Sequence, residues 1–158
     1  MAHQYRATVR WTKGEGAFTD QRYSRGHSWS FDGGITVPAS SSPLSVRLPY
    51  SVAEAVDPEE AFVAALASCH LLTFLYVAAK QGYVIDDYAD EAVGEMTKNE
   101  RGKLWVSKVM LKPAIAFTGA KRPTQQQFDE LHRLAHEECF IANSVKSEVI
   151  VQGTMSFT

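Results

Sequence analysis

Only two cysteines occur in 158 residues. That excludes a disulfide scaffold and a four-cysteine zinc site, and leaves at most one redox pair. Charge of either sign is not in excess: 16 Lys+Arg stand against 18 Asp+Glu, a net charge of −2. The chain therefore carries no electrostatic footprint for nucleic acid or an anionic membrane surface. It has no glycine-rich phosphate loop, so a nucleotide cofactor lacks support. Internal repeats and low-complexity tracts are missing too. The opening residues, Met1-Ala2-His3-Gln4-Tyr5-Arg6, lack the apolar stretch of a signal peptide. The expected location is a reducing cytoplasm, where a disulfide is more often transient and catalytic than structural.

What is present describes a globular chain, with 45% hydrophobic and 11% aromatic residues. Its length suits a single domain over residues 1–158. Residues 4–11 alternate Tyr5, Ala7, Val9 and Trp11 with polar neighbours, the period of a half-buried strand. Gly14-Glu15-Gly16 offers a turn into a hairpin partner over residues 17–24. His27, Trp29 and Phe31 alternate in another strand, and Pro38 to Pro49 reads as a Ser/Pro-rich loop that closes the N-terminal region, residues 1–50.

Asp57-Pro58-Glu59-Glu60 then announces a helix. Asp57 can accept from free amides, proline suits the first helical position, and acidic residues favour the positive end. This central helix is expected over 57–82, with Gly82 a left-handed stop. From Ala61 to Ala79 it contains no Asp, Glu, Lys or Arg. That is nearly the ~20 residues of a membrane span, but the run is alanine-rich and holds Ser68, Cys69, His70 and Thr73. A helix buried on nearly all sides, in a core or subunit interface, is the better reading. Strands over 83–97 and 103–117 follow, then a helix over 124–139 opened by the capping box of Thr124 and Gln127, then a strand over 145–157. Long β-rich blocks separated by single helices predict an α+β fold with mostly antiparallel sheets.

Cys69 falls within the central helix and Cys139 at the end of the second. Free cysteine often behaves as a small buried hydrophobe. A reactive Cys69 needs a cation beside it, because burial alone disfavours the thiolate. An arginine held by a carboxylate is the obvious device, and Glu59 and Glu60 are the carboxylates at hand. A straight helix places Glu59 ~15 Å from Cys69 along its axis, and about 80° around it. Either the helix breaks between them or Glu59 serves the cysteine of a second chain.

The run Asp57-Pro58-Glu59-Glu60-Ala61-Phe62-Val63-Ala64-Ala65-Leu66-Ala67-Ser68-Cys69 resembles the OsmC/Ohr family of thiol-dependent hydroperoxide peroxidases, and the likeness extends to Cys139 and the early strands. His70 and Phe140 stand where that family commonly has an apolar residue and a proline, the mark of a divergent branch. The resemblance implies an intertwined homodimer with a long buried central helix. It also implies a peroxiredoxin-like, cysteine-based peroxidase of oxidative-stress defence. Organic hydroperoxides, and hydrogen peroxide as a further candidate, would be its substrates. Cys69 would be the peroxidatic cysteine and Cys139 the resolving one, joined transiently in a redox-active disulfide. Glu59 would orient an arginine: either Arg25, in Tyr23-Ser24-Arg25-Gly26-His27, or Arg47, in the Ser/Pro-rich loop, with Arg25 the better match. No bound cofactor is implied, only an external thiol or dithiol reductant.

Three other readings stay open. His27 and His70 could tune the thiol or a substrate. His132, His136 and Cys139 share one broad helix face that a metal could use, although a solvated helix face is the plainer account and no metal is expected. Finally, the same scaffold could be a non-catalytic dimer that binds a small ligand.

Overall fold

Asp57 caps the longest element as its position predicts. In this computed structural model, which describes residues 2–158, α1 spans Pro58–Lys80. Asp57 accepts from the Glu60 amide at 2.8 Å, and the Glu60 carboxylate reaches back to the Asp57 amide at 3.2 Å. Gly82, at φ 77°, takes the left-handed conformation that stops the helix.

The chain packs as two compact units, Met1–Ala61 and Phe62–Thr158. The first holds an antiparallel sheet of β1 (Ala7–Arg10), β2 (His27–Phe31) and β3 (Thr36–Ala39), in that order. The return strand expected over residues 17–24 is absent. Phe18 stacks on Tyr23 at 4.7 Å, both meet Trp11, and the Trp11 indole donates to the Ser24 carbonyl. The segment is therefore a loop wrapped on an aromatic cluster, and β1 pairs with β2 instead. β3 runs two residues into the segment expected to be loop. Pro38 is tolerated there because β3 is an edge strand.

In the second unit, each of the three expected long strands exists but breaks once. They become β4 (Val84–Asp90) and β5 (Val93–Lys98), β6 (Leu104–Leu111) and β7 (Pro113–Thr118), and β8 (Glu148–Val151) and β9 (Thr154–Phe157). One sheet has the order β4-β7-β9 and the other β5-β6-β8. The breaks are tied together. Asp90 Oδ1 accepts from the Lys112 amide at 2.7 Å, and the Gln152 amide donates to the Leu111 carbonyl at 2.8 Å. Four pairings are antiparallel, while β8 on β6 and β9 on β7 are parallel. The fold is α+β, as expected.

α2 (Gln125–Glu138) begins at the capping box, with Thr124 and Gln127 bonding reciprocally at 2.9 and 3.3 Å. Phe128, Leu131 and Ala135 on α2 pack with Phe74, Val77 and Ala78 of α1 and with Ile115 and Phe117 of β7. Nearer the start of α1, Leu66 packs with Val109 and Leu111 of β6. Long and apolar enough to cross a bilayer, α1 instead gives one face to these cores. The expectation of burial on nearly all sides needs correcting for a single chain. Ala65, Ser68, Leu72 and Tyr76 form an exposed stripe, with Leu72 and Tyr76 each 63% exposed.

Candidate thiol site

Seventy residues apart in sequence, Cys69 and Cys139 meet through the packing of α1 and α2. Cys139 is the C-cap of α2 and is buried, whereas Cys69 is partly exposed; both are free thiols. The turn that follows α2 serves both sulfurs. The Ile141 amide donates to Cys69 Sγ at 3.5 Å, and the Ala142 amide donates to Cys139 Sγ at 3.4 Å. Asn143 fixes that turn by donating from its side chain to the Glu137 and Cys139 carbonyls, at 2.7 and 3.0 Å. It thereby satisfies the helix-end Glu137 carbonyl, while the Cys139 carbonyl also accepts from the Asn143 backbone amide at 3.0 Å. Burial, and then the adjacent Cys69 sulfur, push the Cys139 thiol up to about 11. Cys139 is thus a neutral thiol at pH 7, and Cys69 is the more exposed residue of the two.

Arg25, Arg47, Glu59 and His27 belong to the first unit. Arg25 is occupied within its own loop. One guanidinium nitrogen donates to the Gln21 and Tyr23 carbonyls, each at 2.6 Å, and the group lies 3.9 Å from the Tyr23 ring centroid. Gln21 adopts φ 63°, unusual for a residue other than glycine, and presents one of those carbonyls. Arg47 lies over Tyr50 at 5.9 Å. Among the described residues, the ion pairs join Lys108 to Glu95 and Arg133 to Glu130 and Glu137, so Glu59 enters none. α1 is continuous from Pro58 to Lys80. Of the two options for Glu59, a helix break is therefore removed. His27 accepts from the Trp29 indole at 3.0 Å and bonds the Arg25 carbonyl at 2.7 Å.

His70 finds an unexpected partner. Its Nε2 lies 3.0 Å from His132 Nδ1, and the two rings stack at 5.3 Å. Both are buried, 1% and 7% exposed. His132 thus faces inward toward α1, rather than joining a metal-binding face with His136 and Cys139. Among the described residues no group of three His, Cys, Asp or Glu could hold a metal ion. The sequence signal for the pair was present in His132, seven residues before Cys139, but spacing alone cannot show that it meets a residue 62 positions earlier.

Burial is the main cause that lowers both histidines to about 4; His132 and then His136 add to the effect on His70, while Asp129 opposes it on His132. Unfolded histidines titrate near 6.5. Between about pH 6.5 and 4 the unfolded chain therefore binds more protons, and stability falls as pH falls through that window. Asp90, whose carboxyl burial raises, acts in the opposite direction. Urea denaturation at pH 7 and pH 5 is expected to show a loss of several kcal/mol at the lower pH. Replacing both histidines with leucine should remove most of that slope.

A model of the OsmC-like protein family matches residues 51–152. The chain belongs to that family. An OsmC-like protein of unknown function from Vibrio cholerae is 52% identical to it, over 97% of this chain and 100% of its own, with a TM-score of 0.94. The fold is also that of organic hydroperoxide resistance proteins. One from Elizabethkingia anophelis is 16% identical, covering 100% of this chain and 99% of its own at a TM-score of 0.67. OhrB of Bacillus subtilis is 19% identical, with coverage of 98% of each chain and a TM-score of 0.61. No curated protein matches the chain.

Proposed function

We propose that this OsmC-like chain is a thiol-dependent peroxidase that reduces organic hydroperoxides through Cys69 and Cys139. The observation that carries the reading is the meeting of two free thiols of unequal exposure at one amide-bearing turn. The hydroperoxide resistance proteins that share the fold support it.

The chemistry divides between the two sulfurs. The Cys69 thiolate attacks one peroxide oxygen, the O–O bond breaks, and the alkoxide takes a proton and leaves as an alcohol. Cys69 is then a sulfenic acid. Cys139 loses its proton and attacks that sulfur; the S–O bond breaks and water departs, leaving a disulfide. An external dithiol returns two electrons by exchange and leaves as its own disulfide. The high pKa of Cys139 keeps a second thiolate out of the resting site, so Cys69 attacks first.

Activation of Cys69 falls to an arginine, Arg25 or Arg47, oriented by Glu59 across a homodimer. The apolar stripe of Ala65, Leu72 and Tyr76 is the surface a second copy would cover. The reading places the enzyme in the cytoplasm. A non-catalytic, ligand-binding dimer is favoured by one observation, the capture of Arg25 by its own loop. Thiol alkylation against pH separates the two, since an activated Cys69 reacts well below the range of an ordinary thiol. The direct test is steady-state reduction of an alkyl hydroperoxide with a dithiol as electron donor. Turnover by the wild type is expected, and none above the dithiol background would refute the peroxidase.

A further inference from the structure

We propose that the buried His70–His132 hydrogen bond is a positioning clamp: it fixes α2 on α1 so that Cys139 stands against Cys69, and so sets how readily the two sulfurs close into a disulfide. The inference rests on reading these cysteines as a redox pair.

The placement of the residues carries it. His70 follows Cys69 on α1, and His132 precedes Cys139 by seven residues, two turns of α2. The same two helices are therefore pinned twice, at the imidazoles and at the sulfurs, about 10 Å apart along α2. Elsewhere their contact is apolar, made by Phe74, Val77, Ala78, Phe128, Leu131 and Ala135. Such packing is strong but non-directional, and it resists sliding less than a bond between two particular atoms does. Among the described residues, the bond of 3.0 Å is the one hydrogen bond linking a side chain of α1 to a side chain of α2.

Stability alone accounts poorly for the pair. Two buried imidazoles cost desolvation energy, and each leaves one nitrogen, His70 Nδ1 and His132 Nε2, without a partner. Two apolar side chains of similar volume would serve a core as well. Yet the surroundings hold the rings closely. Phe74 and Phe128 each pack at 4.5 Å from the His132 ring. At Gly153 the backbone comes so near that a Cβ would lie 2.3 Å from His132 Nε2. Disulfide closure is sensitive to such control, because it tolerates only about 4.4–6.8 Å between Cα atoms.

The bond is atom-specific, which supplies the test. His70 uses Nε2, whose reach a glutamine reproduces; His132 uses Nδ1, whose reach an asparagine reproduces. The full-length protein is equilibrated in oxidised and reduced glutathione, and the equilibrium constant for closing Cys69–Cys139 is read from trapped thiols. Wild type, H70Q and H132N are expected within about threefold of one another, while H132Q and the double variant H70L/H132L close at least about tenfold less favourably. A double leucine variant that closes like wild type would overturn the clamp. If that variant does not fold, equal closure constants for H132N and H132Q would overturn it. Peroxide takes no part in this titration, so a failure of Cys69 to reduce peroxide would refute the proposed activity without deciding the clamp.

Discussion

Cys69→Ser is expected to bring peroxide turnover to background, a loss of more than about a thousandfold, because a serine hydroxyl forms no anion at neutral pH that could attack the O–O bond. Cys139→Ser should behave differently. Cys69 still reacts, but nothing resolves it, so one sulfenic acid per chain accumulates and is captured by a dimedone-type nucleophile. The contrast follows from exposure and charge. Cys69 is partly open to solvent, while Cys139 is buried and held as a neutral thiol by its surroundings. If the two serine variants gave the same result, the roles would be misassigned. Full activity in both would place the chemistry elsewhere.

The second large effect concerns the face of α1 that a single chain leaves open. Leu72 and Tyr76 project from a helix that carries no charge between Ala61 and Ala79. A glutamate at either position would bury a carboxylate in the proposed dimer, at a cost of several kcal/mol. Leu72→Glu and Tyr76→Glu are each expected to weaken dimerisation by at least about 100-fold, measured by light scattering across a concentration series. Peroxidase activity should fall in step with the dimer, because α1 is unbroken and the role proposed for Glu59 is to serve the cysteine of another copy. A monomeric variant that kept full activity would remove Glu59 from the site.

How much of this was legible beforehand depends on the range of each signal. The start of α1 was, because capping chemistry is local: Asp57, Pro58 and Glu60 settle it within four residues. The capping box of α2 was legible for the same reason. The three long strands were found, but not their breaks, since alternation continues across a kink. Pro113, which lacks an amide for a ladder, was the available warning. The loop over residues 17–24 was misread as a strand because the mutual stacking of Trp11, Phe18 and Tyr23 outweighs local strand preference. At the site, the resemblance singled out both cysteines, and the packing of α1 on α2 brings them together. The His70–His132 bond was not legible, because no local pattern links residues on separate helices. The supporting amides of Ile141 and Ala142 were invisible for a different reason, as any residue supplies a backbone N–H.

The most direct test of the central claim is stoichiometric. One equivalent of an alkyl hydroperoxide per chain is added to the fully reduced protein, free thiols are counted, and the digest is searched for a crosslinked peptide. The account predicts that both thiols disappear together and that Cys69 and Cys139 are recovered joined. An unchanged count of two free thiols in folded protein would contradict it.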